Sequence, residues 1–513
     1  MSEKHIILKG AFILTAVGFI NRIIGFFYRI FLSQAIGAEG MGIYQLIFPV
    51  YAMTFSLAVS GIQTSISKYV AAKNAVHDRR GSRNVLFAGT ALSLGLSILV
   101  TWLLYTYAVP ISEYVLMEQR CASLLKLIAW SIPFRSIHAC ITGYYYGLKR
   151  TSIPAVTQLL EQITRVAASY ITYMILLERG LPVTPIVAVV GMVAEEVVSS
   201  LFSVTALLLH LLRPQKNVPA VSSKTGLWES LRSILALSIP LSGNRVLLNI
   251  LQSVEAVCIP QRLRLFGLST GDALSVYGVL TGMALPLILF PSAITGSVSI
   301  MLLPAVSEAQ ARGERRQIIH TIENALRYSL LLGILCTGIF LAFGEDMGVI
   351  LFHEESAGSF ILTLSWICPF LYLGTTMSSI LNGLGKTVTS FLQNTAALLV
   401  RIFFAWFAVP SFGITGYLWG VLASELLTSF AAIYVLRKDY DFHFDSHRWI
   451  VKPIWVILLS GGIMLCFKKI CSFFPILQLS IPSLLFPAAV MTASYLFLLW
   501  PDLTVSIKSK NLQ

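Results

Sequence analysis

Charge is what this chain of 513 residues has least of: Asp, Glu, Lys and Arg together make up 12% of it, about half the share of an ordinary soluble domain. A water-facing globule is thereby excluded, and no polar interval between the apolar runs is long enough to fold alone. Cysteine is equally uninformative as chemistry. Cys121, Cys140, Cys258, Cys336, Cys368, Cys466 and Cys471 are scattered in or beside apolar segments without metal-ligand spacing, so they read as small buried apolar residues. No soluble-side nucleophile with its base, zinc signature or phosphate loop is present, which argues against an enzyme with a water-facing site and against any metal or bound cofactor. The glycine-rich string Gly37-Ala38-Glu39-Gly40-Met41-Gly42 joins two helices where a nucleotide fingerprint would join a strand to a helix. No basic run interleaves with aromatics on a soluble surface, which excludes nucleic acid as a partner.

What is abundant is hydrophobicity, at 56% of residues. A helix needs roughly twenty apolar residues to cross the hydrocarbon core, and such stretches recur from end to end. They fall near 10–35, 42–70, 85–109, 122–147, 153–177 and 184–211, then near 231–258, 274–303, 320–343, 357–384, 388–409 and 414–436, and finally near 451–471 and 482–500. The expected fold class is therefore an all-α polytopic membrane protein with about fourteen transmembrane helices. Runs this long exclude a strand barrel. The first run continues far past a signal-peptide core with no small-residue cleavage pattern, and is expected to stay as a helix.

Lysine and arginine are retained on the cytoplasmic side of such proteins. They concentrate here on alternate loops: Lys73, Arg79, Arg80 and Arg83; Lys149 and Arg150; Arg213, Lys216, Lys224 and Arg232; Arg312, Arg315 and Arg316; Lys386; and Arg437, Lys438, Arg448 and Lys452. The opposite loops carry Glu39, Glu113, Glu118, Glu345, Asp346, Glu354 and Glu355. Both termini are expected in the cytoplasm of a multi-pass cell-membrane protein, and the net charge of +13 reads as an orientation signal strengthened by anionic lipids.

Laid on itself at an offset of 236, the chain matches Trp130 with Trp366, Pro133-Phe134 with Pro369-Phe370, Gly147-Leu148 with Gly383-Leu384, Thr151 with Thr387, and Arg165 with Arg401. Toward the ends the offset drifts, pairing Asn21-Arg22 with Asn244-Arg245 and Glu196 with Glu425. Each repeat holds six spans, an even number, so the two halves enter the membrane with the same orientation. This predicts an N-lobe over 1–215, a C-lobe over 216–440 and two appended helices over 441–513. Parallel repeats of this kind characterise transporters that alternate a central site between the two membrane faces.

A charge at mid-bilayer costs about 2.5–3.5 kcal/mol on insertion scales, so embedded charges mark cavities or partners. In the first span Thr15, Gly18, Arg22, Gly25 and Arg29 share one helical face, giving a small-residue and cationic stripe. Close helix packing at the glycines, with Arg29 snorkelling to an interface, would produce the same pattern. Arg245 is the repeat counterpart of Arg22, and its face continues through Asn249 and Gln252. Arg135, His138 and Thr142 share a face of the fourth span, where His138 alone reads more readily as a packing residue than as a proton relay. Glu161 and Arg165, four apart, read as an ion pair on one helix. Glu196, Glu425 and Glu255 are embedded carboxylates suited either to ion coupling or to packing.

The segment Asn21-Arg22-Ile23-Ile24-Gly25-Phe26, continuing through Arg29 to Ile36-Gly37-Ala38-Glu39-Gly40, Tyr44-Gln45 and Phe48-Pro49, resembles the polysaccharide-transport branch of the multidrug/oligosaccharidyl-lipid/polysaccharide exporter superfamily. The resemblance implies a MATE-like pair of six-helix lobes plus two helices, and extends over essentially the whole chain. It also implies kinship to lipid II flippases, which move undecaprenyl-pyrophosphate-linked cell-wall precursors between leaflets. On that basis Arg22 and Arg29 match first-helix arginines that serve a cationic cavity; together with Arg245, Arg135, Asn21 and Asn244 from the repeat and the embedded polar faces, they are the expected contacts for a polyprenyl-linked glycan lipid, since guanidiniums bind phosphate oxygens bidentately. Spore cortex precursor is one candidate cargo, and the chain is expected to act as a monomer beside cell-wall synthesis proteins. Coupling to sodium, protons or the membrane potential stays open, as do a cation-coupled drug exporter and a membrane glycan polymerase. The lipid II flippases carry basic residues shortly after the second-helix proline, where this chain has Val50, Tyr51, Ala52, Met53 and Thr54.

Overall fold

Among the residues described by the computed structural model, 3–212, 226–471 and 480–508, helix is the only extended regular structure and there is no strand. Side chains are described over 13–212, 226–469 and 482–500, so Arg213, Lys216, Lys224 and the side chain of Cys471 lie outside the described residues. Helix throughout is what hydrocarbon imposes, because every backbone N–H and C=O must find its partner within its own segment.

Eleven described helices are long and apolar enough to cross a membrane, or up to thirteen if each bent pair is one span, against the fourteen expected from hydropathy. Three local features account for the difference. The first two expected spans abut without a loop at a break in the helix at Gly37, whose φ of 69° lies in the left-handed region open to glycine, so Ile13–Ala75 counts once although it holds both. The expected 274–303 span is broken near Phe290 and both pieces are counted, Thr270–Leu289 and Ser292–Ala311, which raises the count by one and offsets part of the loss. The fifth, Ser152–Glu178, is a full-length helix but is not among the eleven, because Glu161 and Arg165 sit in its middle.

Contacts divide the chain into two units, Met1–Gln261 with Ser269–Gly278, and Arg262–Leu268 with Val279–Gln513. The first contains α1 (Glu3–Phe55), α2 (Gly61–Ala75), α3 (Arg79–Thr106), α4 (Cys121–Ala129), α5 (Ser131–Gly147), α6 (Ser152–Glu178), α7 (Ile186–Leu212), most of α8 (Leu227–Leu265) and α9 (Thr270–Gly278). Its α5 packs against α2, α3 and α7, α6 packs on α7, and α1 is flanked by α6 and α9. Ile62, Ile66, Val70, Leu86, Tyr144 and Ile234 make one buried apolar cluster.

The second unit contains α10 (Ser292–Ala311), α11 (Arg315–Phe352), α12 (Glu355–Ser365), α13 (Cys368–Gly383), α14 (Thr387–Phe407), α15 (Ile414–Asp439), α16 (Lys452–Cys471) and α17 (Ser480–Lys508). Here α13 packs against α10, α11 and α15, and α14 packs on α15, the same scheme one repeat later. The last two helices pack on α11, where the Tyr495 hydroxyl donates to the Leu331 carbonyl at 3.0 Å.

The repeat is visible in atomic detail within each unit. Pro133 has no N–H to give to the carbonyl of Ala129 four residues back, and Pro369 none to give to Ser365. At both places the span bends, by 42° between α4 and α5 and by 60° between α12 and α13. Each stranded carbonyl is taken by a threonine of a neighbouring helix, Thr101 at 3.1 Å and Thr337 at 2.9 Å. Gly147 lies so close to α2 that a Cβ would stand 2.7 Å from the Ser67 carbonyl oxygen, and Gly383 meets the Leu303 carbonyl oxygen of α10 at 2.8 Å. In these contacts both partners are displaced by 236 positions. Cys121, Cys140, Cys258, Cys336 and Cys368 are buried and form no disulfide among the described residues, whereas Cys466 faces outward from α16.

Candidate functional site

The charges expected inside the membrane gather within the first unit, where α1, α5, α6 and α7 meet. Arg135 of α5 donates from Nη1 to the Tyr51 hydroxyl at 2.7 Å and to Glu196 Oε1 at 2.9 Å, and Tyr51 donates to the same carboxylate oxygen at 3.0 Å. Its guanidinium also lies over the rings of Tyr51 and Phe55, 5.0 and 4.2 Å from their centroids. A cation in an apolar setting is thus held by a carboxylate, a phenol and two π faces.

One residue earlier on α7, Glu195 is buried and accepts two bonds from Arg165 of α6, Nε to Oε2 at 2.6 Å and Nη2 to Oε1 at 2.5 Å. This is the bidentate fork that makes arginine–carboxylate pairs strong. The expected pairing of Arg165 with Glu161 on the same helix is therefore corrected. Glu161 faces His138 instead, with His138 Nε2 3.2 Å from Glu161 Oε1. The reason is tertiary: α6 packs along α7, and a carboxylate on the facing helix meets the whole guanidinium fork, which a neighbour four residues away on the same helix cannot do. Three carboxylates, two guanidiniums and an imidazole thus share this core. Glu196 Oε2, His138 Nδ1 and Gln162 Nε2 in this core make no hydrogen bond.

The first-helix stripe lies differently. Arg22 is exposed and Arg29 half-buried on α1, and no carboxylate pairs with either among the described residues. Arg29 lies within electrostatic reach of Tyr44, Tyr28 and Arg165, which places it at the margin of the buried core. Asn21 donates to the Gln158 carbonyl of α6 at 3.1 Å, while its own side-chain oxygen is buried without a partner. On α8, Asn244 and Arg245 are exposed, and no carboxylate pairs with Arg245 among the described residues. Asn249, one turn on, donates to the Ala52 carbonyl at 3.2 Å and to Ser56 Oγ at 2.6 Å, anchoring α8 to the end of α1.

Of the site residues expected from sequence, Arg135 and Glu196 are brought into one contact, whereas Arg22, Arg29 and Arg245 pair with no carboxylate among the described residues. Glu255 is buried on α8, and Glu425 is half-buried on α15 of the second unit. Two participants were missed, Tyr51 and Glu195. A signal for Glu195 was present in the adjacent pair Glu195-Glu196, which a helix aims about 100° apart, one toward α6 and one toward α5. Among the described residues no group of His, Cys, Asp and Glu is arranged to hold a metal ion.

An all-helical polytopic fold with buried ion pairs and a stripe of bare cations meets its family in sequence comparison. The profile of the family described as polysaccharide biosynthesis protein matches residues 7–310, and the chain belongs to that family. Stage V sporulation protein B of Bacillus subtilis (strain 168) is 26% identical over 472 residues, covering 92% of this chain and 91% of that protein. Among solved structures, the inward closed conformation of the lipid II flippase MurJ superposes with a TM-score of 0.71 at 14% identity, over 96% of this chain and 99% of that one. The inward-facing conformation of a multidrug resistance MATE family transporter of the MOP superfamily gives 0.65 at 15% identity, over 84% and 98%. The fold is that of these transporters.

Proposed function

We propose that the chain is a flippase that carries an undecaprenyl-pyrophosphate-linked cell-wall precursor, of the lipid II kind, across the cytoplasmic membrane by alternating access, without making or breaking a covalent bond. The observation that carries this reading is the set Arg22, Arg29 and Arg245: cations on apolar helices of one unit, with no carboxylate paired to them among the described residues. An arginine left bare in hydrocarbon costs about 2.5–3.5 kcal/mol on insertion scales, so three on apolar helices call for a polar setting. A water-filled cavity visited by an anionic headgroup accounts for them, because a guanidinium stays charged and matches phosphate oxygens in pairs. The kinship to stage V sporulation protein B and the fold shared with the lipid II flippase support the same cargo class. Arg135 takes a different part: bound to Glu196 and Tyr51, it braces the helices that present the stripe.

The basic helix ends, including Lys73, Arg79, Arg80 and Arg83, face the cytoplasm in this reading, where the precursor is made. Mass spectrometry of lipid co-purified with the protein tests the proposal. Undecaprenyl-pyrophosphate sugar enriched over bulk lipid is the expected result; its absence together with cation-driven efflux of cationic drugs would overturn it.

A further inference from the structure

A second basic cavity lies apart from the first-helix arginines and from the Arg135–Glu196 contact, at one end of the first unit. The end of α2 supplies Asn74, the first turns of α3 supply Arg79 and Arg83, the end of α5 supplies Tyr144, the following turn supplies Arg150, and the end of α7 supplies His210. Together they line a cavity of about 330 Å³, at the lower end of the range for small-molecule sites. None of Arg22, Arg29, Arg135 and Arg245 lines it.

Two features separate this cavity from an ordinary solvated basic loop. No Asp or Glu lines it, although one is close in sequence. Asp78 is turned to cap α3, accepting from the Gly81 N–H at 2.8 Å and facing Lys73 Nζ at 3.5 Å, and is not part of the lining. One of the basic groups is also held in place. Arg150 Nη1 lies 3.1 Å from His210 Nδ1, and since a guanidinium can only donate, Nδ1 accepts and the ring proton sits on Nε2. The imidazole is flanked by Tyr144 and Tyr145, with ring centroids at 6.4 and 6.0 Å. Three arginines converging on one concavity repel one another, Arg79 and Arg83 at the unfavourable spacing of one helical turn, and an anion between them relieves that repulsion.

We propose that this cavity binds a phosphate group, with Arg83 and Arg150 as its principal contacts, supplied either by an anionic lipid headgroup at the membrane surface or by a soluble phosphate. The test uses the purified full-length protein in zwitterionic detergent, titrated with short-chain phosphatidic acid and, separately, with inorganic pyrophosphate. Saturable binding is expected, weakened about tenfold or more by Arg83→Gln or Arg150→Gln, the scale of a lost charged hydrogen bond. Arg80→Gln, on the same helix but outside the cavity, is expected to bind within about twofold of the unaltered protein. Arg83→Lys keeps the charge without the fork and restores part of the binding, which separates loss of a contact from loss of fold. Tighter binding of phosphatidic acid than of pyrophosphate identifies a lipid source, and equal binding a soluble one. No saturable binding of either probe, unchanged binding in both glutamine variants, or an equal loss in Arg80→Gln would each overturn the site.

Discussion

Replacing Glu195 by Gln removes the charge that Arg165 grips with two short hydrogen bonds, while leaving the shape of the side chain nearly intact. Glu195 is about 1% exposed, so its carboxylate has no access to water, whereas Arg165 keeps 29% of its side chain accessible. Removing one partner of a fully buried pair costs about 3–5 kcal/mol; the partial exposure of Arg165 points to the lower end, about 3 kcal/mol. For a unit of this size each kcal/mol moves the midpoint of thermal unfolding by about 2 °C, which gives a fall of about 6 °C. The assay is loss of monodisperse protein in detergent as temperature rises. Arg165→Leu alone strands the carboxylate and is expected to fall at least as far. The double variant Glu195→Gln/Arg165→Leu removes both charges and is expected to recover more than half of either single loss, because an apolar pair in place of an ion pair is often neutral or better. Single variants within about 1 °C of the unaltered protein, or a double variant whose loss is the sum of the two, would refute the pairing.

Other outcomes follow from the same contacts. Gly147→Ala and Gly383→Ala each place a Cβ within 2.8 Å of a backbone carbonyl oxygen, and are expected to destabilise by about 1–3 kcal/mol in the same assay, equally in the two repeats. Thr101→Val and Thr337→Val leave a proline-stranded carbonyl bare and are expected to cost about 1–3 kcal/mol each. Glu118 lies outside the membrane-spanning helices, and the hydrogen bonds from Arg120 hold its carboxyl below the ordinary carboxylate range. A depressed folded-state value stabilises above the unfolded value and is lost as pH falls through the folded one, so the contribution, within about 1 kcal/mol for a pair half open to solvent, disappears on acidification below about pH 4.3. The gap in midpoint between the unaltered protein and Glu118→Gln is expected to close over that interval, as read by thermal scans at stepped pH.

The parts of this fold that could be read from sequence are those where composition and period act locally. Twenty-residue apolar runs mean helix in lipid wherever they occur, and the 236-residue offset recorded in Trp130 and Trp366 or Gly147 and Gly383 reappears as paired bends and paired close contacts. What could not be read depended on which helices are neighbours. Arg165 had Glu161 at helical spacing, yet its partner is Glu195, thirty residues away on the facing helix. Arg135 carried the same sequence signature as Arg22, but only the packing of α5 against α7 puts Glu196 within reach of the first and leaves the second bare. The count of spans differed for a comparable reason. Hydropathy averages over a window and does not register that the first two expected helices abut at the kink of Gly37 with no loop between them.

The central claim is that the bare arginines serve a pyrophosphate headgroup as it crosses. Its most direct measurement is transfer of a fluorescent undecaprenyl-pyrophosphate sugar between leaflets of vesicles containing the purified protein, read by protection from an impermeant quencher. Sodium and proton gradients and the membrane potential are collapsed in turn to identify the driving force. The unaltered protein is predicted to move the lipid, and Arg22→Ala and Arg29→Ala to stop it while inserting in equal amounts. Transfer at the unaltered rate in both variants, or none by the unaltered protein under any of these gradients, would contradict the account.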